Sequence, residues 1–200
     1  MEKRNRLRVV IFDLEFTAWE GSRESGWARS GEYREVVQIG AVKLDAASLK
    51  EVDWFDMLVK PRVNPVLSEY FVQLTGIANQ ALSARAVDFI TAYAAFLDFV
   101  GGIHSWAHGR DDLVLAQNLR LYGWQGGFPT LTYSNAIPWF AEQGVNLKGK
   151  HASDVPEAVG ATFVGRKHEA LADARGVAAG FIALIGKGAK NPFLGEDYKP

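Results

Sequence analysis

At 200 residues, 48% hydrophobic and 12% aromatic, the chain is long enough to bury one sizeable core and is expected to form a single domain. It contains no cysteine, which excludes disulfides and thiolate metal sites and leaves oxygen and imidazole donors for any ion, hence Mg2+ or Mn2+. A formal net charge of -1 argues against a protein that coats duplex DNA, and neither Val9 to Phe12 nor Phe89 to Val100 is long or apolar enough to span a bilayer.

The amino terminus is basic through Lys3, Arg4, Arg6 and Arg8, which reads as solvated surface. The short run behind it stops at Asp13 and lacks the apolar core of a secretion signal, so the cytoplasm is the expected location. Arg8 to Leu14, Glu35 to Leu44 and Val52 to Val59 are rich in β-branched residues and are expected as three strands. Between the first two, Glu20 to Glu32, with Gly21, Gly26 and Gly31 among serines and charges, is expected as a long loop. After Pro61 and Pro65 the period changes, and Ser68 to Leu74 and Ala86 to Val100 are expected as helix. A strand at Ile103 to Ala107, a helix at Asp111 to Tyr122, a strand at Thr130 to Tyr133 and a helix at Ser134 to Gln143 follow. Ser153 to Val159 is a short helix and Glu169 to Ile185 a long one, stopped by Gly186 and Gly188. The core spans about 8–186, and 187–200 reads as a tail. Three strands followed by alternating helices and strands predict an α/β fold, a mixed five-stranded sheet flanked by helices, in the order of a ribonuclease H-like protein.

Asp13 and Glu15 end a buried strand two residues apart, so both project to one face. Taken alone, such a pair also describes ordinary strand-end acids. Asp111 and Asp112 open a helix, where one acid suits a cap and the other is left for a metal; the sequence does not say which. His168 and Asp173 are five residues apart, about 140° around a continuous helix, and are not a helical ligand pair. If the helix begins near Glu169, His168 lies on the entering loop, and the two approach one centre from different directions. Beside Arg166 and Lys167 the histidine could equally be solvated surface. An aspartate inside the small-sided run Ala170, Leu171, Ala172, Ala174 needs a buried partner. Together, four acids and a histidine match what phosphodiester hydrolysis with two divalent ions requires, the histidine serving as general base.

The segments VVIFDLEFT, SWAHGRDDLVLAQN and HEALADAR, in this order, resemble the three motifs of the DEDDh exonucleases of the DnaQ-like family, over roughly Arg8 to Leu184, and LSEYFVQLTGI resembles an element lining the substrate cleft. DLEFTAWE and SWAHG are most similar to the Eri-like ribonuclease branch, although that branch often has glycine where this chain has Ala107. The resemblance implies two divalent metal ions, Mg2+ or Mn2+, held by Asp13, Glu15, Asp111 and Asp173, with His168 as general base. It selects Asp111 over Asp112 because Asp111 stands seven residues before Asn118. It also implies that Phe16 and Thr17 contact the terminal nucleotide. The expected activity is 3′-5′ hydrolysis of single-stranded nucleic acid with a free 3′ end to nucleoside 5′-monophosphates, with RNA favoured over DNA. Phe16, Trp19 and Trp106 are candidates to stack on unpaired bases. Oligomeric state is left open, a homodimer being among the options.

Two other readings compete. The first motif also resembles the nucleophile loop of haloacid-dehalogenase-type phosphatases, with Asp13 as nucleophile, a reading that has no use for His168 or Asp173. The second is a catalytically silent nucleic-acid-binding module.

Overall fold

The protein is described by a computed structural model over residues 7–127 and 131–194. The element order is β1 (Arg8–Phe16), α1 (Ser22–Ser25), β2 (Val36–Asp45), β3 (Glu51–Leu58), α2 (Glu69–Thr75), α3 (Asn79–Arg85), α4 (Phe89–Val100), β4 (Ser105–Ala107), α5 (Asp111–Leu121), β5 (Tyr133–Asn135), α6 (Ala136–Glu142), a 3-10 turn (Ala152–Asp154), α7 (Val155–Ala158) and α8 (Ala170–Gly186). The strands form one mixed sheet in the order β3-β2-β1-β4-β5, antiparallel between β1 and β2 and between β2 and β3, parallel across β1, β4 and β5. This is the mixed five-stranded, helix-flanked sheet that the pattern predicts.

The central strand β1 is buried along almost its whole length, and strict alternation divides its side chains between two cores. Val10, Phe12 and Leu14 face α4, where Phe89, Tyr93, Phe96 and Val100 cover them. Val9 and Ile11 face the opposite way, against Phe140, Val155, Val177 and Phe181 of α6, α7 and α8. Continuing the odd-numbered row brings Asp13 and Glu15 onto this second face. The row therefore passes from apolar to acidic just where α8 begins.

Gly40 of β2 pairs with Asp13 and lets α8 sit directly on the sheet. A Cβ at position 40 would lie 2.1 Å from the Leu171 backbone nitrogen, so only glycine permits this approach.

Some boundaries differ from expectation. α3 falls in a stretch for which no helix is expected, and α1 lies within the expected loop. β4 is reduced to three residues, and β5 runs later than expected, with Thr130 outside the described residues. α6 starts at Ala136 because the Asn135 side chain caps it, accepting from the Ile137 N–H at 3.0 Å. Lys3, Arg4 and Arg6 lie outside the described residues, while Arg8 reaches Asp45 at 4.0 Å. The described part of the expected tail packs on the body: Phe193 meets Phe181 and Trp106 at centroid distances of 4.9 and 6.0 Å.

Glu35, fully buried ahead of β2, accepts from the backbone N–H groups of Arg62, Val63 and Asn64 at 2.7, 2.8 and 2.6 Å and from the Tyr122 hydroxyl at 2.7 Å. A carboxylate suits this all-donor nest. Glu35→Gln would turn an amide NH2 toward those donors and is expected to cost about 2 kcal/mol in chemical denaturation. A variant as stable as the parent would show that other contacts hold this loop.

Candidate active site

Three separate elements deliver four carboxylates to the end of the sheet. Asp13 and Glu15 come from β1, Asp111 from the first turn of α5 behind β4, and Asp173 from the first turn of α8. Their exposures are only 8%, 8%, 9% and 3%. Burial pushes the Asp13 carboxyl well above its usual value, and Asp111, Asp173 and Glu15 add like-charge repulsion. Glu15 is raised by burial and then by Asp173 and Asp111. Asp111 is pushed up to about 8, by burial and then by Asp112. Burial also dominates at Asp173, raised to about 7 against the opposing effect of the His168 backbone N–H.

Asp111 and Asp112 are separated by the structure. Asp112 turns outward into a two-point contact with Arg110 at 2.8 and 2.9 Å, which lowers its pKa. Asp111 turns inward, and its Oδ2 is buried without a hydrogen-bond partner. Oδ1 of Asp173 is in the same condition. Buried carboxylate oxygens with no donor, beside like charges, are costly unless a cation completes the site. The donor set therefore fits hard divalent ions.

His168 precedes α8 in a left-handed conformation, φ 62°, and its backbone N–H donates to Asp173 Oδ2 at 3.3 Å. Ligand atoms of Glu15, His168 and Asp173 lie within 4.8 Å of one another, a group able to hold an ion. The His168 pKa is lowered by burial first and then by His151, whose ring meets it edge-on at 4.9 Å. His168 is thus neutral at physiological pH.

These residues line one wall of a cleft of about 980 Å³. Tyr70, Phe71 and Leu74, from the segment resembling a cleft element, line it too, as do Phe16 and Trp19. Two expected substrate contacts are placed elsewhere. Thr17 is buried, its hydroxyl donating to the Tyr33 carbonyl and accepting from the Glu35 N–H. Trp106 packs on Phe181 at 5.4 Å and belongs to the core, so the stacking role considered for it is corrected. The basic pair beside His168 is also tied down, Lys167 by Asp154 at 2.9 Å and Arg166 by the Gln73 carbonyl at 3.3 Å.

Sequence reasoning missed several cleft residues. Trp27 lies in the segment read as loop and Arg34 just past it, and Lys148, Lys150 and His151 lie on the connection after α6. His108, two residues past Trp106, has a buried, unpartnered Nε2 and a pKa lowered to about 4, chiefly by burial. Its place inside the second motif was the one signal available.

Compared by sequence with curated proteins, the chain matches none. Solved structures share its fold. The nuclease domain of 3′hExo, a DEDDh family member bound to rAMP, superposes with a TM-score of 0.76 at 20% identity, covering 94% of this chain and 96% of that one. Cell-death related nuclease 4 (CRN-4) gives 0.74 at 22%, covering 92% and 65%. The zinc-bound complex of E. coli ExoI with single-stranded DNA gives 0.62 at 15%, covering 90% and 41%. The exonuclease family model, RNase_T, matches residues 10–181, a span that contains all four carboxylates and His168. Neither the phosphatase reading nor the silent module is favoured by these findings, and the chain belongs to the RNase_T exonuclease family.

Proposed function

We propose that the chain hydrolyses single-stranded nucleic acid from its 3′ end to nucleoside 5′-monophosphates, with Asp13, Glu15, Asp111 and Asp173 holding two divalent metal ions, Mg2+ or Mn2+, and His168 as general base. The observation that carries this reading is the meeting of four buried carboxylates whose pKa values are all raised, chiefly by burial, two of them, Asp111 and Asp173, each with a buried oxygen that has no hydrogen-bond partner. Ions bound there supply activation of a water and charge stabilisation at the leaving 3′ oxygen.

The chain's own residues account for the remainder. His168 is half-buried and neutral, so a ring nitrogen is free to accept the proton of the attacking water. The new P–O bond forms as the bond to the 3′ oxygen breaks, giving a nucleoside 5′-monophosphate and a strand shortened by one. Phe16 and Trp19 give the cleft apolar surface suited to an unpaired base. What supports RNA over DNA is the likeness to a 3′-exonuclease that recognises a histone mRNA stem-loop. Among the described residues no helix is long and apolar enough to cross a membrane.

The test is digestion of end-labelled RNA and DNA oligomers, single and double stranded, with magnesium, manganese or chelator. A one-nucleotide ladder retreating from the 3′ end, faster on RNA and abolished by chelator, is expected; a ladder from the 5′ end or one insensitive to chelator overturns the reading. His168→Ala is expected to slow turnover by roughly 100-fold or more, the scale of a lost general base, while metal binding measured by calorimetry persists. An unchanged rate would make the histidine a bystander.

A further inference from the structure

One stretch of the cleft wall, running from the end of β1 into the segment before β2, carries Trp27 and Arg34, which have no part in the chemistry above. The Phe16 ring packs 5.3 Å from that of Trp27, and the Arg34 guanidinium lies over the Trp27 ring, 4.4 Å from its centroid. This ladder is held from several sides. Trp27 adopts φ 59°, a strained conformation for a bulky residue. Its indole N–H donates to the Thr17 carbonyl at 2.8 Å, and its backbone N–H to the Ser22 carbonyl at 2.8 Å. The Arg34 carbonyl accepts from Asn118 Nδ2 at 2.7 Å, and the Asn118 Oδ1 accepts from the Val36 N–H at 3.0 Å.

For all this ordering, the guanidinium is unspent within the chain. Its Nε is buried with no hydrogen-bond partner. Among the described residues no carboxylate forms an ion pair with it, although four stand in the same cleft. A planar cation fixed on an aromatic face and left without a counter-charge is built for an anion from outside. The cleft's carboxylates serve the diester being cut, and every other phosphate of the strand meets them as like charge.

We propose that Arg34, seated on Trp27, is a subsite for a phosphodiester upstream of the one being cleaved, an assignment that rests on the exonuclease reading. Its test is equilibrium binding of a fluorescent single-stranded ten-nucleotide RNA in chelator, across a salt series, followed by the digestion described above. Arg34→Gln is expected to weaken binding about 10- to 100-fold, the scale of a lost charge-assisted contact. It should also flatten the slope of log affinity against log salt by about 0.7, one phosphate contact on a single strand. Arg34→Lys should restore the slope and only part of the affinity, because it keeps the charge and loses the planar fork. An unchanged affinity and slope in Arg34→Gln, or a wild type that does not bind the strand, overturns the subsite. Binding that depends on Arg34 in a protein that cuts nothing would support the subsite while felling the exonuclease reading.

Discussion

Asp13→Asn is expected to reduce exonuclease turnover by roughly 1,000-fold or more, and at the same time to make the metal-free protein harder to melt. The first effect follows from the several kcal/mol of transition-state stabilisation that a catalytic metal supplies, at about 1.4 kcal/mol per factor of ten. The second follows from burial. Asp13, Glu15, Asp111 and Asp173 all bind protons more tightly folded than unfolded, Asp111 up to about 8 and Asp173 to about 7. Between the unfolded carboxylate range near about 4 and those folded values, the native state carries more protons than the unfolded one. The contribution of these four groups to stability in chelator therefore falls as pH rises through this window and is greatest on its acid side, opposed below about pH 6.5 by His108, whose folded value is lowered to about 4. The amide removes one of the repelling charges. The variant's melting midpoint at pH 8 should start higher and change less with pH, and magnesium should raise it less than it raises the parent's. Differential scanning calorimetry with and without chelator checks each point; a variant with parental turnover, or one whose metal-free midpoint follows pH just as the parent's does, would refute the metal-site assignment.

Gly40→Ala is expected to cost about 3 kcal/mol or more, near the upper end for a single substitution. The added Cβ would meet the Leu171 nitrogen at 2.1 Å and the Ala170 carbonyl carbon at 2.3 Å. Both are main-chain atoms of the first turn of α8, so no rotamer change relieves the clash. The helix must lift from the sheet, and a chain of this size should melt about 10 °C lower. The same displacement moves Asp173 and His168 away from Asp13 and Glu15. Turnover per folded molecule should therefore drop as well, by about 100-fold for an ångström of misplacement. Urea denaturation alongside single-turnover rates separates the two losses. A variant that keeps both within experimental scatter would show that the seat of α8 on β2 is softer than the geometry states.

How much of this was legible in the sequence depends on whether a feature is local. β1 was readable because a strand buried on both faces shows as a continuous apolar run, and the two-residue spacing of Asp13 and Glu15 fixes their shared face. α8 was readable from its alanine-rich run and terminal glycines, and with it the separate approaches of His168 and Asp173. The Asp111/Asp112 choice was not readable from the residues themselves, because it turns on Arg110 drawing Asp112 outward. Trp106 looked like a stacking candidate because it is an aromatic residue within the second motif, yet strand alternation sends it into the core that Phe181 and Phe193 complete. Least legible was the segment between β1 and β2. Gly26 announces a turn, but nothing in the sequence says that Trp27 beside it shares the left-handed backbone, and the seven-residue approach of Arg34 has no helical or strand period.

The division of labour between sheet and connections has a consequence for how such an enzyme diversifies. The carboxylates are anchored in a central strand and the first turns of two helices, whereas much of the remaining cleft wall belongs to the connections after β1 and α6. Selection, or a protein engineer, can rewrite those connections to change which polymer is accepted and how far along it the grip extends, leaving the reaction centre undisturbed.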